Sequence, residues 1–140
     1  MKKLLLLLLL SSQASYAFAE LLLSNEWARL TPSGVGSVYV TIENKNPFSE
    51  VLLTAKSDSA KIVTIHETVR ENDVVKMNHI IGGINIPKGE SAILEPGGYH
   101  IMLMNINKNL SLGDRIKVTL IFEKSGEVEL NPILKLKPPF

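Results

Sequence analysis

Val38-Tyr39-Val40-Thr41-Ile42-Glu43 is followed at once by Asn44-Lys45-Asn46-Pro47. β-Branched and aromatic side chains alternate with others through the first six residues, the period of a strand with one buried face. The next four are turn formers that end it. Working outward from this strand, similar short runs recur at 51–55, 61–68, 74–80, 91–94, 100–104, 115–122 and 126–130. Gly, Pro, Asn or Asp separates most of them, as in Pro87-Lys88-Gly89, Pro96-Gly97-Gly98 and Leu112-Gly113-Asp114. Lys124-Ser125-Gly126-Glu127 reads as a hairpin loop between two apolar runs. No window of helical length carries a clean 3.6-residue period. The pattern is that of an all-β sandwich or barrel.

The chain begins MKKLLLLLLLSSQASYAFAE. Two lysines, an apolar run from Leu4 to Leu10 and the small-x-small pattern Ala17-Phe18-Ala19 predict a secretory signal peptide over 1–19. The apolar run is far shorter than the ~20 residues that span a bilayer. Residues 20–140 are then expected to form one soluble, exported domain, placed in the periplasm and without membrane insertion after cleavage. Leu21-Leu22-Leu23 leaves the cleavage site open. Loss of Lys2 and Lys3 leaves 13 basic against 14 acidic groups, a net charge of −1. That balance gives no footprint for nucleic acid.

The chain has no cysteine. Thiol redox chemistry, covalent cysteine catalysis and thiolate-ligated metals are excluded, and any metal site must use His, Met or carboxylate. After the leader, all three Met and all three His fall in two short segments. In Tyr99-His100-Ile101-Met102-Leu103-Met104 an extended chain puts His100, Met102 and Met104 on one face and Ile101 and Leu103 on the other. Core packing by the two Met is the simpler alternative. The second segment runs from Ile65-His66-Glu67 to Met77-Asn78-His79 and reads as a hairpin. A loop centred between Glu71 and Asn72 would set His66 opposite Met77, whereas a two-residue Asn72-Asp73 turn would set it opposite His79. Both registers keep His66, Met77 and His79 on one face. Imidazole and thioether without thiolate suit Cu(I), while hard cations would want carboxylates and zinc would add Asp, Glu or Cys.

With these residues in place the chain resembles the periplasmic copper chaperones of the PCu(A)C family. The resemblance rests on Trp27-Ala28-Arg29, the strand 38–44, Ile65-His66-Glu67, Met77, Ile86-Pro87-Lys88-Gly89, the run from Pro96 through Met104, and Gly113-Asp114 leading to Phe122-Glu123. It implies a single cupredoxin-like, immunoglobulin-like Greek-key β-sandwich. It further implies one Cu(I) held by His66, Met77, His100 and Met102, and delivery to a copper-accepting subunit of respiratory cytochrome c oxidase or to another copper chaperone, by a monomer. Thr68 stands where many relatives have a further Met. Met104 is either the end of the ligand row or a spare donor, and His79 is a bystander or a transfer ligand. Two other readings compete: copper storage or resistance, and an immunoglobulin-like interaction module that ignores metal. No Ser-His-Asp order, phosphate-binding glycine loop or HExxH motif points to an enzyme.

Overall fold

The computed structural model describes residues 20–107 and 109–136. The expected signal peptide and the proline-rich tail 137–140 lie outside the described residues. Eleven strands follow in order: β1 (Leu21–Leu30), β2 (Gly36–Asn44), β3 (Glu50–Lys56), β4 (Ala60–Glu71), β5 (Val74–His79), β6 (Ile84–Ile86), β7 (Ser91–Leu94), β8 (Tyr99–Ile106), β9 (Val118–Phe122), β10 (Gly126–Leu130) and β11 (Ile133–Leu134). They form a seven-stranded sheet in the order β11-β1-β2-β7-β8-β4-β5 and a four-stranded sheet in the order β10-β9-β3-β6. The all-β sandwich expected from the spacing of strands is what the chain forms.

Alternation places the core between the sheets. Val38, Val40 and Ile42 on β2, Ile65 on β4 and Ile101 and Leu103 on β8 point inward from the large sheet. Leu52 on β3, Ile84 and Ile86 on β6, and Val118, Leu120 and Phe122 on β9 meet them from the small one. Each fully buried aliphatic side chain contributes roughly 1.5–3 kcal/mol relative to exposure. Since Ile101 and Leu103 are fully buried in this layer, His100, Met102 and Met104 are turned to the outer face of the large sheet. The Met residues are therefore no part of the hydrophobic core.

Three strands were not legible as runs: β1, β6 and β11. The predicted strand over 115–122 is regular only from Val118, with Arg115 making an isolated bridge to Ile133. The hairpin β4–β5 closes on Asn72 and Asp73, with φ of 49° and 61°. Positive φ at both central residues is the type I′ turn, whose twist matches paired strands. Of the two registers open to the sequence, the hairpin adopts the one that sets His66 opposite His79 and Thr68 opposite Met77.

Candidate metal centre

Two antiparallel pairings bring the histidines together, and two more add aromatic rings beside them. On β4 and β8 His66 lies opposite His100, Thr64 opposite Met102 and Ile62 opposite Met104. On β4 and β5 His66 lies opposite His79. β2 pairs with β8 as Ser37 with Met102 and Val38 with Ile101, which sets Tyr39 beside His100, and Tyr39 pairs in turn with Trp27. The result is one transverse row of rings across five strands. Ring centroids are 4.7 Å apart from Trp27 to Tyr39, 6.5 Å from Tyr39 to His100, 5.8 Å from His100 to His66 and 5.4 Å from His66 to His79. Exposure rises along it. Trp27, Tyr39 and His100 are buried, His66 is half-buried and His79 is exposed.

The buried end of the row is closed by Arg29. Its guanidinium sits 5.5 Å from the Trp27 ring centre and 5.6 Å from that of Tyr39, and donates to the Tyr39 hydroxyl at 3.1 Å. These contacts clamp Tyr39 against His100.

The two inner histidines are oriented by oxygen atoms. His100 Nδ1 lies 3.2 Å from the carbonyl oxygen of Gly98. A carbonyl only accepts, so Nδ1 carries the proton and Nε2 of the neutral ring is a bare lone pair. That Nε2 is buried with no hydrogen-bond partner. His66 Nε2 lies 2.8 Å from the Thr64 hydroxyl, and its Nδ1 is likewise buried and unpartnered. A hydroxyl takes either role, so Nδ1 holds the free lone pair when Nε2–H donates to Thr64. Burial first, then the neighbouring His100 and His79, hold the His66 imidazole below the usual histidine pKa. The neutral, ligating form of this ring is thereby favoured.

Met102 follows His100 on the same face and Met104 follows Met102, both half-buried. Met77 is 56% exposed and stands opposite Thr68. It is diagonal to His66, a relation that puts backbone positions about 7–8 Å apart and within reach of a long side chain. The four predicted donors thus share a face, with His66, His100 and Met102 adjacent and Met77 approaching from the β5 side. By alternation the other residues on this face of β4 and β5 are Ile62, Thr64, Thr68, Arg70 and Val75, with no carboxylate among them. Among the described residues no three His, Asp or Glu side chains converge on a point. The face suits a soft ion and offers little to a hard one. Two unpartnered buried nitrogens beside a thioether fit such an ion.

Sequence reasoning missed Trp27 and Tyr39 as members of the row, and Thr64 and Gly98 as the groups that orient the histidines. Thr64 was within reach, two residues before His66 on the same face. The others depend on strand pairings that no local pattern specifies.

Comparison with known proteins gives the family. The LpqE-like family model matches residues 21–133. A protein of Leifsonia xyli subsp. xyli named as a lipoprotein, Lxx21020, is 34% identical over 99 residues, which are 71% of this chain and 60% of that protein. The chain therefore spans less than two thirds of that relative's length. Among solved structures, a copper-bound PCuAC domain from PmoF2 is 24% identical with a TM-score of 0.70, covering 87% of this chain and 97% of that one. A solution structure of CuI-DR1885 from Deinococcus radiodurans is 22% identical with a TM-score of 0.61, covering 89% of this chain and 85% of that one. At these identities the two structures speak for the fold. By the match over 21–133, the chain belongs to the LpqE-like family, which is the PCuAC family.

Proposed function

We propose that this protein is an exported metallochaperone that binds one Cu(I) through His66, Met77, His100 and Met102 and passes it to a copper-accepting protein. The observation that carries the proposal is the pair of buried, unpartnered nitrogens, His100 Nε2 and His66 Nδ1, on facing strands. Leaving a buried polar atom unpaired costs on the order of 1–3 kcal/mol. An ion bound there offsets that cost. Met102 supplies a thioether from the same strand as His100, and Met77, diagonal to His66 on β5, is within reach as the fourth donor. Four neutral donors leave the charge of the ion uncompensated, which favours Cu(I) over Cu(II) and over divalent hard cations. The copper-bound PmoF2 domain and CuI-DR1885 carry the same fold with copper, which supports this assignment.

The site also fits hand-over. Met77 and His79 lie at the open end of the ring row, so one side of the ion is accessible while His100 is buried. Residues 1–19 direct export to the periplasm, where a copper centre of the respiratory oxidase, or another chaperone that feeds it, is the acceptor. Met104 and His79 are reserve donors.

Anaerobic titration of the mature protein with Cu(I) against a chromophoric chelator tests the assignment. One ion per chain is expected, with affinity reduced about 100-fold or more in His100→Ala and in Met102→Ala. Binding no tighter than that of an unrelated β-sandwich, or unaffected by both changes, would refute it.

A further inference from the structure

The large sheet ends at β5, and this edge differs from the other three edges of the sandwich. β11 is two residues long, β6 is three residues long and runs into Pro87, and β10 carries Glu127 and Glu129. Shortness, proline and charge are the usual means by which edges are kept from pairing with another chain. β5 has six residues, Val74-Val75-Lys76-Met77-Asn78-His79, all exposed, with no proline and one charge. That charge, Lys76, is drawn towards the hairpin tip by an ion pair with Glu71 at 3.1 Å.

The ladder tells which groups the edge offers. Ile80 N–H donates to the Ile65 carbonyl, and Thr68 N–H donates away from β5 to Gly98 on the β8 side. Backbone direction alternates along a strand, so residues 74, 76 and 78 bond to β4. The N–H and C=O groups of Val75, Met77 and His79 therefore point outward, unpaired by β4. These same three residues have their side chains on the donor face.

We propose that β5 is the docking edge for the copper acceptor, which adds an extended segment carrying soft donors at alternate positions. This rests on the copper reading of the site. A strand added here pairs its own residues directly opposite Met77 and His79, with Cβ atoms about 5 Å from theirs. Its donors then continue the row Trp27, Tyr39, His100, His66, His79 by one more position. The row opens towards this edge, being buried at Trp27 and exposed at His79. An incoming imidazole or thioether can engage the ion beside Met77 before His66 and His100 release it. The ion keeps its charge and neutral donors replace neutral donors, so no electron or proton has to move.

The test uses the mature protein and a synthetic peptide with Met and His at alternate positions between valine and threonine. Amide exchange is followed by NMR, and transfer is followed by loss of the ion from the loaded protein. Docking at β5 predicts slowed exchange at the amides of Val75, Met77 and His79, whereas those of Lys76 and Asn78 already lie in the ladder. Val75→Pro removes one outward N–H without touching the ladder to β4, a placement that edge strands tolerate. In that variant Cu(I) affinity against the chelator should be unchanged and transfer to the peptide slower by about fivefold to tenfold, the loss of one hydrogen bond. Unchanged exchange at all three amides, or transfer at full rate in Val75→Pro, overturns the docking edge. Slowed exchange that depends on protein concentration without peptide assigns the edge to a second copy of this chain and overturns the acceptor as its occupant. Failure to bind Cu(I) in the chelator assay refutes the copper site separately, because the amide readout on the apo protein needs no metal.

Discussion

A histidine can bind a metal only through a bare ring nitrogen, and at His100 a single atom leaves one. The Gly98 carbonyl assigns the proton of His100 to Nδ1 and leaves Nε2 free. For His66 the decisive influence is burial, with His100 and His79 adding to it, and both lower the pKa. Competition between protons and metal therefore sets in at more acid pH at His66 than at a free imidazole near pH 6.5. The part of the Cu(I) affinity that His66 contributes should hold as pH falls from 7.5 through the ordinary histidine range and drop only below it. The stability of the apo protein has the matching sign. The unfolded chain binds the proton more readily, so the contribution of His66 is complete above about pH 6.5 and is lost as pH falls towards its lower folded pKa. Chelator competition and urea unfolding at several pH values check both, and His66→Asn should flatten the stability profile in this window. That His100, Met102 and Met104 share one face, and that His66, Met77 and His79 share one, was readable from alternation; whether that face lies outside or in the core was not. Which ring nitrogen is free was not, because Gly98 and Thr64 act through atoms that exist only once the strands are paired.

At the scale of the element, the β4–β5 hairpin determines which donors meet. Glu71-Asn72-Asp73-Val74 permits more than one loop, and the sequence left His66 facing either Met77 or His79. The tie is broken by twist, since a two-residue turn with positive φ at Asn72 and Asp73 lets both strands run straight into a right-handed ladder. Asp at φ 61° is tolerated less well than glycine. Asp73→Gly is expected to stabilise the protein by about 0.5–1 kcal/mol in urea unfolding, with Cu(I) affinity unchanged, because the register it favours is the one already present. A loss of stability would mean that the Asp73 side chain holds the turn. The strands that no local pattern announces have equally specific reasons. β1 contains a bulge between Ser24 and Trp27 with Asn25 at φ 55°, which breaks the period of two in Leu-Leu-Leu-Ser-Asn-Glu-Trp. β6 and β11 are too short for any period, and β11 joins β1 in parallel across about a hundred residues of chain.

For the molecule as a whole, the donor row needs a rigid sheet beneath it, and rigidity comes from the second sheet. The two are joined by the core, and the small sheet is itself anchored at one end by a buried carboxylate. Glu50 at the start of β3 is fully buried and accepts from the backbone N–H of Val51 at 2.9 Å, of Lys124 at 2.9 Å and of Ser125 at 2.8 Å, and from the Ser125 hydroxyl at 2.6 Å. Burial alone would raise its pKa. The hydrogen bonds, led by that of Ser125, outweigh burial and lower it, so the folded state prefers the ionised form. Its stabilising effect is therefore present above the unfolded carboxyl pKa of about 4.3 and disappears as pH falls through the lower folded value. Glu50→Gln keeps the shape but turns an amide N–H₂ towards donors. A cost of about 2–4 kcal/mol is expected, read as a fall in the urea midpoint at pH 7 and a smaller difference from the parent protein near pH 3. The turn between β9 and β10 that Glu50 holds belongs to the small sheet, whereas every donor lies on the outer face of the large one. Cu(I) affinity of the folded variant should therefore match that of the parent. If affinity fell together with stability, the outer face of the large sheet would depend on how the small sheet is anchored.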